Sequence, residues 1–315
     1  MILVFAPNPA LERVALVDKF APGEDPQRPM KVSTFAGGAG LRAASVIRLL
    51  GGDVLALGFV GGHLGALLRD CLDAQDIPHV LTPIAAETRG DFLVLDREQG
   101  VITEIPEQAP TYTDAEIDKL LGVLGRHIVG ASLMLIADGQ EESAPELFAR
   151  AIAHAKEAGV PVLADLCGNA LTTAIEAGVW MVRMNLRTLQ RHSEKSMQHD
   201  SAVLEEARLM IAKGVQNVVV TLGDEGALLI NAEGAWRIKP PVVSHFNPTG
   251  SGETLSGAVA VWYEKHPDSP DIIEAVRYGC AAASVNVTHD EPGYATPGEV
   301  NVLFPRTIAG PVTTR

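Results

Sequence analysis

The stretch Asn247-Pro248-Thr249-Gly250-Ser251-Gly252-Glu253-Thr254-Leu255-Ser256-Gly257 reads as a turn that opens directly into a helix. Pro248, Gly250 and Gly252 break regular structure, whereas Thr254-Leu255-Ser256-Gly257-Ala258-Val259-Ala260 is small and apolar and carries the helix onward. The first N–H groups of a helix have no intrahelical partner and lie at the positive end of its dipole, so such a start suits an anion. Gly250, Ser251 and Gly252 would let a phosphoryl group approach the backbone closely. Glu253 stands at the rim of this cradle, and two roles are open to it. It either complements the helix dipole, contributing about 0.3–1 kcal/mol, or serves as a general base that takes a proton from a hydroxyl attacking a phosphate.

The chain has 315 residues, 47 % hydrophobic and 20 % charged, enough for one large or two modest domains with a real core. No apolar run approaches the ~20 residues that span a bilayer, and the start Met1-Ile2-Leu3-Val4-Phe5-Ala6-Pro7 lacks the basic residues of a signal peptide. A soluble, cytoplasmic protein is expected. Cys71, Cys167 and Cys280 are odd in number and far apart, which suggests neither a disulfide framework nor a metal-ligating set. The net charge of −14, from 25 basic and 39 acidic residues, argues against nucleic acid or an anionic membrane as partner. Phosphates stay accessible to such a protein through a few placed cations and backbone N–H groups.

Short apolar strands alternate with helical patterns along most of the chain. Strands are expected at 1–6, 54–60, 133–137, 160–165, 179–184 and 218–222. Helices are expected at 40–50, 64–74, 114–126, 144–158, 202–213, 254–263 and 272–287. This rhythm implies βαβ units, a parallel sheet with helices on both faces, and ligands gathered at the carboxyl ends of the strands. Residues 11–35 and 89–105 depart from it, being strand-like and half polar. Phe92-Leu93-Val94-Leu95 and Val101-Ile102-Thr103-Glu104-Ile105 flank the turn at 96–100 as in a hairpin. These excursions are either a small separate sheet, placed to act as a lid that excludes water, or a pair of surface loops.

Taken in order, Asn8-Pro9-Ala10-Leu11-Glu12, Ala36-Gly37-Gly38-Ala39-Gly40-Leu41-Arg42, Gly58-Phe59-Val60-Gly61-Gly62-His63-Leu64-Gly65, Thr88-Arg89, Thr221-Leu222-Gly223-Asp224-Glu225-Gly226-Ala227 and Asn247 to Glu253 resemble the ribokinase (PfkB) family of carbohydrate kinases. The first and last of these motifs are most similar to the tagatose-6-phosphate kinase and 1-phosphofructokinase branch. The resemblance implies an α/β, ribokinase-like, doubly wound and mostly parallel core over 1–10, 36–87 and 107–315, with a β lid formed by 11–35 and 88–106. It further implies a homodimer through the lids and phosphorylation of a sugar or sugar-phosphate hydroxyl, with ATP and Mg2+ as cofactors. By the same resemblance, Gly250, Ser251 and Gly252 form the anion hole, Glu253 is the base, and Glu12, Gly37, Gly38 and Arg42 hold the acceptor. Arg28 and Arg89 fall where arginines clamp an acceptor's phosphate. Arg28 could instead be a solvated charge, and Arg89 could pair with Glu87 or Asp91. Asn185 corresponds to a residue near the nucleotide phosphates and metal, and Thr221, Gly223 and Gly226 to a nucleotide-binding turn.

The departures from the family pattern cluster in the acceptor half. Glu253 and Glu12 stand where the family keeps aspartates. One added methylene moves a carboxylate by about 1 Å, and such a misplacement can cost on the order of 10²-fold in rate. The branch's Gly-Gly-Lys-Gly-x-Asn has become Gly37-Gly38-Ala39-Gly40-Leu41-Arg42, and its Ser-Gly-Ser-x-Pro loop reads Ala137-Asp138-Gly139-Gln140-Glu141-Glu142. Two functions are therefore expected to compete: an active kinase with an altered acceptor, and a non-catalytic relative that binds nucleotide or sugar phosphate in a regulatory or structural role.

Overall fold

The computed structural model describes residues 1–23, 27–139, 144–268 and 271–312. Its strands are β1 (Ile2–Phe5), β2 (Ala10–Val17), β3 (Lys31–Gly37), β4 (Val54–Val60), β5 (His79–Pro83), β6 (Arg89–Asp96), β7 (Val101–Pro106), β8 (Leu133–Asp138), β9 (Val162–Leu166), β10 (Met181–Asn185), β11 (Asn217–Thr221), β12 (Ala227–Asn231), β13 (Gly234–Lys239) and β14 (Ile308–Pro311). Its helices are α1 (Ala39–Leu49), α2 (Gly62–Ala74), α3 (Asp114–His127), α4 (Pro145–Glu157), α5 (Gly168–Glu176), α6 (Leu186–Ser193), α7 (Asp200–Ala212), α8 (Ser251–Lys265), α9 (Ile272–Asn286) and α10 (Pro297–Leu303).

Ile2-Leu3-Val4-Phe5 is 0 % exposed throughout, as befits an internal strand covered on both faces. It lies inside a ten-stranded sheet of order β14-β13-β12-β11-β10-β9-β8-β1-β4-β5. From β5 to β11 every pairing is parallel, and β12, β13 and β14 add an antiparallel edge. One face packs against Leu41 and Ile47 of α1, Val259 of α8 and Val276 of α9. The other is covered by Leu120 of α3, Phe148 of α4, Leu171 of α5 and Leu204 of α7. The alternation expected from the sequence is thus a sheet with helices on both faces. The sequence reading had omitted β5, α5, α6, α10 and the antiparallel edge. Their local patterns explain the omission: α6 buries only Leu189, and β13 is half exposed along most of its length. No helix among the described residues is long and apolar enough to cross a membrane.

The two excursions form a separate four-stranded sheet of order β3-β2-β6-β7, in which β2 and β6 run parallel. Alternation along its strands gives each face a distinct character. Glu12 stands beside Asp91, and Val14 beside Leu93, which in turn faces Glu104. Val14, Leu93 and Leu95 pack with Phe35 and with Phe246, which immediately precedes the turn quoted above. Val32, Phe92, Val101 and Ile105 alternate onto the opposite face and are 45–55 % exposed.

Phe148 lies at the centre of the second helical layer with no exposure. Phe148→Ala is expected to lower stability by about 3–5 kcal/mol through lost transfer energy and a residual cavity. The measurement is a urea titration, in which the midpoint should fall with little change in slope.

Candidate active site

Because the strands from β1 through β11 are parallel, their carboxyl ends bring Asn8, Asp138, Asp165, Arg183, Asn185 and Thr221 to one side of the sheet, where α8 begins. The Asn247 side chain accepts from the Thr249 N–H at 2.9 Å and donates to the Asp290 carbonyl at 3.0 Å. Gly250 caps α8 at φ 79°, and a Cβ there would lie 2.6 Å from the Gly293 nitrogen, so only glycine fits. Asn286, wholly buried at the end of α9, clamps both strands of this junction. Its amide donates to the Thr249 carbonyl at 2.9 Å and to Ser251 Oγ at 3.1 Å, while its oxygen accepts from the N–H groups of Gly293 at 2.8 Å and Tyr294 at 3.1 Å.

Ser251 donates both its N–H and its hydroxyl to the Pro248 carbonyl, at 3.2 and 2.7 Å. Its hydrogen-bonding groups are therefore spent inside the turn. Thr254 makes the first helical bond, to the Gly250 carbonyl. That leaves the Gly252 and Glu253 N–H groups without partners among the described residues, at a half-buried helix start.

Glu253 meets Arg42 of α1, with Nη1 3.4 Å from Oε1. The same guanidinium grips Glu12 of β2 through Nη2 at 2.8 Å and Nε at 3.1 Å. Glu12 is 1 % exposed and also accepts the Gly38 N–H at 2.7 Å. A Cβ on Gly37 would fall 2.1 Å from the Glu12 carboxyl carbon, which explains the glycine there. Burial alone would lower the Arg42 pKa, but Glu12, Glu253 and Glu104 outweigh it and hold the guanidinium above its ordinary value. Glu104 of β7 also accepts from Thr249 Oγ1 at 2.8 Å, tying the small sheet to the turn before α8.

Beneath the helix start lies a second buried charge pair. Arg183 donates to Asp165 at 3.0 and 3.2 Å and to Thr221 Oγ1 at 3.0 Å, and Ser256 of α8 donates to Asp165 at 2.7 Å. The guanidinium packs so closely under Gly252 that a Cβ there would lie 2.0 Å from Nη2. Its Nε is buried without a partner among the described residues. Burial pushes the Asp165 carboxyl up, and nearby Glu253 adds to the rise while Arg183 opposes it.

The remaining site residues divide. Arg89 donates through Nη1 to both oxygens of Asp91 at 2.5 Å, so the alternative pairing considered for it is the one adopted. Arg28 is exposed in the connection between β2 and β3 and makes no ion pair or hydrogen bond among the described residues. Asp138 is buried and accepts from Asn8 Nδ2 at 2.5 Å, so its charge is committed inside the fold; Gln140, Glu141 and Glu142 lie outside the described residues. Asn185 caps α6 by accepting the Thr188 N–H at 2.8 Å, leaving its amide nitrogen as donor. Gly223 and Gly226, at φ 65° and 89°, close a tight turn after Thr221, beside a cleft of about 320 Å³ lined by Asp224, Glu225, Arg237, Lys239 and Pro240. A larger cleft of about 500 Å³ lies at the β5 edge, between Thr82 and Arg126, and includes none of these residues.

Residues 10–298 match the model of the pfkB family carbohydrate kinases. The chain belongs to that family. It is accordingly a sugar kinase by family, a transferase of phosphoryl groups. Phosphofructokinase-2 from Escherichia coli, solved in complex with fructose-6-phosphate, is 23 % identical over 97 % of this chain and 98 % of its own, with a TM-score of 0.86. A possible 1-phosphofructokinase from Thermotoga maritima is 20 % identical over 99 % of this chain and 100 % of its own, with a TM-score of 0.88. At these identities the likeness is one of fold.

Sequence reasoning missed Arg183, Asp165, Asn286, Asp91 and Glu104 as members of the site. An arginine inside the apolar run Val179 to Met184 was the one available signal, since a charge at such a position needs a buried partner. Arg183→Met is expected to cost about 3–5 kcal/mol because it strands Asp165. The double variant with Asp165→Asn should recover much of that loss. Urea midpoints of both single variants and the pair measure the coupling.

Proposed function

We propose that this chain transfers the γ-phosphoryl group of ATP to a hydroxyl of a sugar or sugar phosphate, with Glu253 as general base and the Gly250–Gly252 turn as receptor for the phosphoryl group. The observation that carries this reading is a carboxylate, 16 % exposed, on the same helical turn as two unpartnered N–H groups. Glu253 takes the proton of the acceptor hydroxyl as that oxygen attacks. The Gly252 and Glu253 N–H groups, at the positive end of α8, stabilise the charge on the transferring group. Glu12 and Arg42, with the backbone at Gly37 and Gly38, orient the acceptor.

The nucleotide supplies the phosphoryl group, and Asn185, Thr221, Gly223, Gly226 and the start of α8 would hold it. The free Gly252 and Glu253 N–H groups at the start of α8 fit a phosphate chain. No group of three or more metal-ligating His, Cys, Asp or Glu side chains occurs among the described residues. Mg2+ would therefore travel with the phosphates, as suits an ion that keeps several waters and few protein ligands. The small sheet, 11–35 and 88–106, is proposed as a lid on the core of 1–10, 36–87 and 107–315, in a cytoplasmic enzyme. Its exposed Val32, Phe92, Val101 and Ile105 suit contact with a second copy of the chain. Phosphofructokinase-2 from Escherichia coli is known in a tetrameric inhibited form.

The second reading, a relative that binds nucleotide or sugar phosphate without turnover, draws on the contact between Glu253 and Arg42. An ADP-release screen over sugars, polyols and their phosphates separates the two. Glu253→Gln is expected to lower kcat by about 10²–10⁴-fold while ATP affinity by calorimetry stays within about twofold. Glu253→Asp should lower kcat by about 10², because Arg42 and Glu12 are set to the longer side chain. An unchanged kcat in Glu253→Gln would reduce the carboxylate to a helix-dipole role.

A further inference from the structure

Resting on the kinase reading, we infer that the acceptor is an uncharged sugar or polyol, and that Asp91 is the residue that sets this choice by occupying Arg89. Recognition of a phosphate monoester needs a cation with free donors. On the acceptor side Arg42 has turned all three of its nitrogens to carboxylates, and Arg89 has committed Nη1 to Asp91, leaving a fully enclosed Nε without a partner among the described residues. Arg89 and Asp91 are 6 % and 7 % exposed, and Nη1 of Arg89 spans both carboxylate oxygens at 2.5 Å. Its Nη2 is 3.4 Å from the Asn8 carbonyl. Arg42 is divided between Glu12 and Glu253. Lys31 is paired with Asp290 at 2.6 Å.

Anionic groups surround the same space. Glu12 and Asp91 are neighbours on one face of the small sheet, Glu104 follows on the adjoining strand, and Glu253 closes in from the core. Four carboxylates thus meet two arginines. A phosphate arriving at Arg89 must displace Asp91 and leave that carboxylate buried without its counter-ion, beside Glu12. A hydroxyl costs nothing of the kind: carboxylate oxygens accept from it directly, as sugar hydroxyls require. Asp91 acts here through Arg89, as a positioning residue for specificity.

The test compares D-fructose and D-tagatose with their 1- and 6-phosphates, by calorimetry in the presence of ADP and by ADP release with ATP. Wild-type protein is expected to bind and phosphorylate a free sugar at least 10-fold better than its phosphates. Asp91→Asn keeps the shape and the acceptor for the Glu107 N–H but frees Arg89. It should raise affinity for the phosphates at least 10-fold relative to the free sugar. That reversal is a readout a merely structural role would not move. Wild-type preference for a sugar phosphate overturns the inference and leaves the kinase reading standing, and it does so even where Asp91→Asn fails to fold. Selective binding of free sugar with no turnover supports the inference and overturns the kinase reading. Binding of neither class overturns both.

Discussion

A guanidinium with 12 % exposure must find counter-charge inside the protein, and Arg42 finds it on two separate elements. Glu12 belongs to the small sheet and Glu253 to the first turn of α8, so one side chain on α1 couples the sheet, the acceptor loop and the helix start. Removing either carboxylate leaves the other to hold a partly desolvated cation, and removing Arg42 leaves two acids side by side. Breaking a buried pair in this way costs several kcal/mol, whereas an exposed pair costs little. The glycine at 37 follows from these charges, since a side chain there would collide with Glu12.

Three of the departures that the resemblance implies lie together in space, since Arg42 bonds Glu12 and Glu253 at once. An aspartate at 12 would not span the same gap to Arg42, and an asparagine at 42 would give the longer acids no charge to meet. The side-chain lengths and charges at 12, 42 and 253 are thus matched to one another in this chain.

The fold was legible because its signals are local. Apolar runs such as Ile2 to Phe5, helical spacing such as that of α4, and the glycine turn before α8 each show within a dozen residues. The small sheet was legible from half-polar strands and a hairpin turn. What stayed hidden depends on partners far along the chain. Arg183 needs Asp165 and Ser256, and Asn286 needs Thr249 and Gly293; no periodicity announces such pairs. Arg89 shows the limit most clearly. Its neighbour Asp91 was in view from the start, yet only the register of β2 against β6, which sets both among Glu12 and Asn8, makes that pairing buried.

Two further contacts reach the helix start from opposite sides. Asn286 holds the turn from the core side through Thr249, Ser251, Gly293 and Tyr294, so its position is set by α9 and the Gly293 turn. Glu104 reaches the same turn from the sheet side through one hydrogen bond to Thr249. A single such bond is worth about 1 kcal/mol or somewhat more with a charged partner, and several cooperating buried ones are worth more than their sum. The Gly252 and Glu253 N–H groups are therefore held chiefly from the core side, while Glu104, the Glu12–Arg42 pair and Phe246 join the small sheet to the same helix start.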